Sequence, residues 1–220
     1  SGFRINPSEK FKLLATVTVS STATVKWSIS DPSIDLNSVS LSGTEKSLVT
    51  TTGSTAAQVF TVSLVLPPST LPQQSTFSFS IACTTQAGYS ATSAITISTN
   101  APPLPGQYSV TPEKEGVMLT TEFEFVASKW EDADIPITYE FAYLGSSGSY
   151  LVHRSRMQLS YTSGSLPAGR DVMDYQLSTR LVVFDVLNAQ HAEYKSVEVQ
   201  KETLSADDKN QFLSDALEAS

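Results

Sequence analysis

Cysteine, histidine and charge are all scarce in this chain. One cysteine in 220 residues, Cys83, excludes an internal disulfide and any multi-thiolate metal centre, and two histidines are too few for a zinc site. Charged residues make up 16% of the sequence, with 22 acidic against 14 basic side chains and a formal net charge of -8. That sign is wrong for a protein that neutralises phosphates, so no nucleic acid partner is expected. No apolar run approaches the roughly 20 residues that cross a bilayer, and the first residues lack a basic stretch leading into a hydrophobic one. Direct membrane insertion by this segment is therefore not expected. No Asn-x-Ser/Thr acceptor occurs, because Asn6 is followed by Pro7.

What the chain does have is serine and threonine alternating with Val, Ile and Phe, at 40% hydrophobic residues, which is enough to fill a core. Turn signals recur about every ten residues, the pattern of an all-β sandwich or barrel. The stretch "TNAPPLPGQ", residues 99–107, breaks two alternating regions of similar length. The reading is all-β: two tandem immunoglobulin-like or fibronectin type III-like β-sandwiches over 1–101 and 102–202, followed by a short C-terminal helix. The last stretch, 203–220, offers Ser205 as a helix cap and Phe212, Leu213, Ala216 and Leu217 at helical spacing. An isolated helix of that length is marginal in water and needs a surface to lie on.

In the first half, Leu13, Ala15, Val17 and Val19 share one face, as do Val25, Trp27 and Ile29, which makes Trp27 the aromatic plug of that core. "QVFTVSLVL", 58–66, is apolar on both faces and leaves open which side is buried. Phe77, Phe79, Ile81 and Cys83 alternate in phase, "TQAGYS" turns, and residues 94–97 return as a hairpin. Leu71 stands six residues before Phe77, the spacing of a tyrosine corner, but Phe lacks the hydroxyl that closes one. In the second half, Leu119, Thr121, Phe123 and Phe125 are read on one face, and Ile137, Tyr139, Phe141 and Tyr143 on another. Tyr175 is a second corner candidate, and a final hairpin is expected around "DVLNAQ".

The richest stretch is "KWEDADIPITYEF", residues 129–141. Glu131, Asp132 and Asp134 are hard oxygen donors close together on a loop, which suits calcium. Ca2+ takes six to eight oxygens, so Asp31, Asp35 or Asp185 would have to add ligands. The competing reading makes the carboxylates turn formers that accept backbone N–H groups, with Trp130, Tyr139 and Phe141 as core and Pro136 fixing the entry to the next strand. A glycosidase pair lacks an aromatic-rich cleft, no G-x-S-x-G elbow occurs, and His153 and His191 read as solvated. Cys83 reads as a small buried hydrophobe. The four arginines 154, 156, 170 and 180 read as a solvated sheet face.

These motifs resemble the receptor-for-egg-jelly (REJ) region of the polycystin family. The resemblance rests on Pro102, Pro103, Gly106, Val110, Pro112, Gly116, Thr121 and Phe123. It continues through Trp130, Asp132, Asp134, Pro136, Tyr139 and Phe141, and then Leu166, Pro167, Gly169, Val183, Asp185 and Ala189. Gly116 falls one place late and Ile137 stands where Leu is usual. The resemblance implies a module of a large cell-surface membrane protein, outside the membrane, with fibronectin type III-like sandwiches and an association with cilia or gamete surfaces. The expected role is non-enzymatic: protein–protein assembly or mechanical linkage. Expected partners are other domains of the same chain and extracellular or ciliary-surface proteins. A calcium-dependent adhesion module is the alternative, with calcium as the one candidate cofactor, and a carbohydrate-binding or carbohydrate-active domain is a remote third.

Overall fold

Alternating sequence becomes strand along nearly the whole chain of the computed structural model, which describes residues 3–51 and 56–202. The helix read over 203–220 lies outside the described residues. The chain divides into two compact units, Ser1–Ala101 with Leu187–Ala189, and Pro102–Val186 with the chain from Gln190.

Unit 1 contains β1 (Phe3–Ile5), β2 (Phe11–Val19), β3 (Ala23–Ile29), β4 (Glu45–Leu48), β5 (Gln58–Leu66), β6 (Thr76–Thr85) and β7 (Ser90–Thr99). One sheet runs β1-β7-β6-β3-β4 and the other is the pair β2-β5. The first strand, β1, lies parallel to the last, with Phe3 opposite Ile97 and Ile5 opposite Thr99. Trp27 is 5% exposed and packs with Val25, Leu64, Phe79 and Ile97 in one core. The open question in β5 resolves in favour of Val62, Leu64 and Leu66, which point inward. Leu71 and Phe77 are both buried, so Phe77 serves the core where a tyrosine would also have bonded. Cys83 is half-buried against that core. Asp31 accepts from the Ser33 main chain and hydroxyl, and Asp35 caps the short helix Leu36–Val39 through the Asn37 N–H. Both carboxylates are turn formers.

Unit 2 contains β8 (Gln107–Thr111), β9 (Gly116–Val117), β10 (Glu122–Ser128), β11 (Thr138–Leu144), β12 (Tyr150–Met157), β13 (Tyr161–Ser165), β14 (Gln176–Phe184) and β15 (Gln190–Gln200). Its sheets are β13-β10-β8 and β12-β11-β14-β15-β9. Here too an early strand lies parallel to the last, Gly116 opposite Val199 and Val117 opposite Gln200. Phe123, Phe125, Phe141, Leu181, Val183 and Val197 are fully buried between the sheets, with Phe125 edge-on to Phe141 at 6.0 Å. Two sheets facing across one core, in both units, is the immunoglobulin and fibronectin type III plan. The buried Tyr108 hydroxyl donates to Thr179, whose hydroxyl donates to the Lys195 carbonyl.

Two strand-level expectations need correction, at Leu119 and at Tyr175, and one between them holds. Leu119 is 69% exposed with φ of 62°, and β10 starts only at Glu122, so Leu119 and Thr121 do not share the face of Phe123. Along residues 137–143 the alternation holds: Ile137, Tyr139 and Tyr143 are half-buried and pack against the same core as the fully buried Phe141, while the pairing with β12 shifts register around Phe141 and Ala142 is buried as well. Tyr175 precedes β14 with φ of 57°, and among the described residues its hydroxyl makes no hydrogen bond. Its backbone closes that corner instead: Tyr175 N–H donates to the Arg170 carbonyl, and the Tyr175 carbonyl accepts from Val199.

The histidines are half-buried against aromatic rings and not fully solvated. His153 stacks on Phe125 at 4.9 Å and meets Tyr143 edge-on, while His191 meets Trp130 edge-on at 5.3 Å. Burial lowers the His153 pKa from its ordinary value, against a hydrogen bond with the Ser163 main chain that raises it. A histidine whose pKa is lowered on folding binds its proton more readily when unfolded. Its contribution to stability is therefore complete above about pH 6.5 and is lost as pH falls through that value towards the lower folded pKa. Unit 2 should melt at lower temperature at pH 5 than at pH 7.5, and His153→Phe should flatten that slope; an unchanged slope in the variant would remove His153 as its source.

Candidate functional site

The sequence W-E-D-A-D-I-P follows directly on β10. Lys129 takes a left-handed φ of 58° and turns the chain, which drops Trp130 into the core at 7% exposure. Glu131 is tied to the opposite segment through its main chain, where its carbonyl accepts from Leu104 N–H at 2.8 Å. Asp132 folds back on itself as an Asx turn, its Oδ1 accepting the Asp134 N–H at 2.7 Å. The Asp134 carbonyl accepts from Val186 N–H, which binds this loop to the end of β14. The bond from Ile135 to Pro136 is cis, and β11 follows two residues later.

That last link gathers a third carboxylate. Asp132, Asp134 and Asp185 each present an oxygen within 4.8 Å of the others, with Asp185 fully buried. Glu131 is exposed and outside this group. Two oxygens bound to one Ca2+ at 2.3–2.6 Å lie no more than about 5 Å apart, so the spread fits a single calcium ion. Three carboxylates supply three to six of the six to eight oxygens such an ion takes. Beside the group sits Arg156, whose Nη2 donates to the Asp185 carbonyl and whose Nε donates to Thr138, with its guanidinium 4.3 Å from the Phe184 ring centre. Arg156 thus lies beside Asp185, and the main-chain bond from Val186 to Asp134 ties the loop before β11 to the chain after β14.

Of the other arginines, Arg180 pairs with Glu140 at 3.3 Å and lies over Tyr150, and Arg170 donates to the Ser146 carbonyl. Both are engaged within unit 2. A cleft of about 290 Å3 is bordered by Tyr143, Leu151, Pro167, Arg170, Met173 and Leu177. Among the described residues Arg170 is the one charged side chain on its wall.

The motif glycines carry a signal that spacing alone does not reveal. A Cβ on Gly169 would fall 1.9 Å from the Tyr175 carbonyl oxygen, and one on Gly116 would fall 2.3 Å from the Phe123 ring and 2.9 Å from the Glu198 carbonyl. At both positions another chain segment lies where a side chain would start. Sequence reasoning also missed Arg156 as the cation beside the acidic group. Asp185 was read as one of three possible added ligands and was marked by the family pattern, but nothing local signals that it, and not Asp31 or Asp35, meets Asp132 and Asp134 some fifty residues away in sequence.

A family model described as "REJ domain" matches residues 1–219. No curated protein matches the chain at a significant level. Among solved structures, the chain is similar to domains A168–A170 of titin, at 12% identity and a TM-score of 0.42, covering 90% of this chain and 62% of that one. It is similar to a Ca2+-stabilized adhesin that helps an Antarctic bacterium reach out and bind ice, at 12% identity and a TM-score of 0.46, covering 93% and 50%. A third similar structure is murine CEACAM1b, at 12% identity and a TM-score of 0.33, covering 90% and 96%. The chain thus spans less than two thirds of the titin and adhesin chains.

Proposed function

The chain belongs to the REJ domain family, and from that premise we propose that it is a non-enzymatic extracellular module of a polycystin-like cell-surface or ciliary membrane protein, which carries mechanical linkage and protein–protein assembly. One observation carries the reading. In unit 1 the first strand lies parallel to the last, and in unit 2 the short β9 lies parallel to the last strand. Tension applied along the chain pulls such a pair in opposite directions along its own axis, so the ladder bonds are loaded together in shear instead of being peeled one at a time. Forced unfolding is set by the barrier to that concerted step and not by equilibrium stability. Pulling single molecules by their two ends tests the reading.

A second reading is favoured by the meeting of Asp132, Asp134 and Asp185: calcium held there would stiffen unit 2 and make the module's adhesion calcium-dependent. When bound, the ion would neutralise three carboxylates and fasten the loop before β11 to the end of β14. Calcium at one hundred times its dissociation constant would add about 2.7 kcal/mol to the stability of unit 2. Thermal melts in millimolar calcium and in chelator decide it. Under this reading the melting temperature rises with calcium, and Asp134→Asn abolishes the rise. Identical melts end it.

A further inference from the structure

The turn from Gly169 to Tyr175 also shapes the cleft of unit 2. Pro167, Arg170 and Met173 form one wall, Tyr143 and Leu151 form another, and the buried Leu177 borders it from the core. The Arg170 side chain joins the two walls by donating to the Ser146 carbonyl at 2.9 Å. At about 290 Å3 the cleft falls just below the roughly 300–1,000 Å3 of sites that enclose a free small molecule. Its mouth is apolar and exposed: Leu151 is 47% exposed, Met173 58% and the adjoining Val172 90%. An apolar recess with one cation on its wall suits the apolar face of a peptide segment that brings a carboxylate with it.

The chain itself delivers such a segment to this place. β15 runs out alongside the same turn, where Gly169 N–H donates to the Val199 carbonyl and Lys201 Nζ donates to Asp171 Oδ2 at 2.8 Å. Asp171 follows directly on Arg170 and stands two residues before Met173, so residues 203–220 set out from the edge of the cleft. Phe212 comes eleven residues after Lys201, about 16 Å along a helix and about 40 Å at most in extended chain. The cleft is within reach in either case.

The chemistry matches too. In "TLSADDKNQFLSDALEAS", Phe212, Leu213, Ala216 and Leu217 recur at helical spacing, and four acidic side chains stand against one basic. Asp208 lies four residues before Phe212 and Asp215 three after it, a spacing that puts both beside the Phe212 ring on one helix face. A helix of this length is marginal alone and gains from a surface. Because the segment is tethered, it meets the cleft at an effective concentration on the order of millimolar, and a weak contact suffices.

We infer that the cleft is the docking site of the chain's own residues 205–217: Phe212 and Leu213 enter between Tyr143, Leu151 and Met173, and a carboxylate one turn from Phe212, Asp208 or Asp215, pairs with Arg170. The recess is then filled in cis and closed to outside partners for as long as the segment stays.

Hydrogen exchange of the 220-residue chain, read by mass spectrometry at several concentrations, tests this. Residues 205–217 are expected to exchange at least about tenfold more slowly than unstructured chain, at a rate independent of concentration. Met173→Glu removes part of the apolar wall and sets a like charge against Asp208 and Asp215, and should return the segment to the free rate. Arg170→Glu should do the same, and Met173→Leu should keep the protection. Both side chains are exposed, so the amides of β14 should stay protected in all three variants, which separates loss of docking from loss of unit 2. Free exchange of 205–217 in the wild type overturns the inference. So does protection that survives both Met173→Glu and Arg170→Glu, which would put the segment on another surface, or protection that appears only at high concentration, which would give the cleft to a second copy.

Discussion

Replacing Gly169 by alanine is expected to unfold unit 2 and leave unit 1 folded. The new Cβ would lie 1.9 Å from the Tyr175 carbonyl oxygen and 2.2 Å from its carbon, so backbone meets backbone and no side chain can rotate out of the way. Relief requires moving either the 169–175 turn or β15, and both are tied by the same bonds. Gly169 N–H donates to the Val199 carbonyl, Val199 N–H donates to the Tyr175 carbonyl, and Tyr175 N–H donates to the Arg170 carbonyl. Overpacking strain and broken bonds together should cost about 3–5 kcal/mol, enough to abolish a marginal fold. The chain has two tryptophans, Trp27 in unit 1 and Trp130 in unit 2, so each unit has its own fluorescent reporter. In Gly169→Ala the Trp130 emission should shift to that of exposed indole while Trp27 stays native. Native emission from both would show that the turn yields more easily than its bonding suggests.

Trp130→Ala is the second large effect. Trp130 is 7% exposed in the core of unit 2 and packs edge-on to His191, and truncating a buried tryptophan costs about 3–5 kcal/mol through lost burial and the cavity left behind. Unit 2 should lose most of its stability by circular dichroism, with the unit 1 transition unmoved. Asp132→Asn is the contrast within the same motif. It keeps an oxygen that can accept the Asp134 N–H and should shift melting far less. Equal losses from the two substitutions would mean that the carboxylate, and not the aromatic ring, sustains this stretch.

Strand alternation was legible because a half-buried strand writes its two faces into alternate residues; Phe77, Phe79 and Ile81 are all buried as read. It failed where a local feature breaks the period. Leu119 is apolar yet exposed in a left-handed turn. The short β4, β9 and β13 carry too few apolar residues to announce themselves. Within the candidate site, Asp132 and Asp134 were legible as turn formers or ligands, since both roles require the same oxygen. Asp185 joined them only through the fold, and Glu131 left them because its side chain faces out where its main chain is held. The histidines were misjudged for the same reason. A polar stretch around His153 hides the fact that Gly164, across the sandwich, leaves room for its ring, and a Cβ there would fall 2.7 Å from His153 Cε1.

The most direct test of the central claim is the extension released when one chain is pulled from both ends. If each unit is a load-bearing sandwich closed by a parallel strand pair, the trace shows two separate all-or-none ruptures, each lengthening the chain by about 30 nm for about a hundred residues. Removing residues 1–9, which carry β1, should lower the force of one rupture and leave the other unchanged. A smooth low-force extension, or a single rupture spanning both units, would contradict the account.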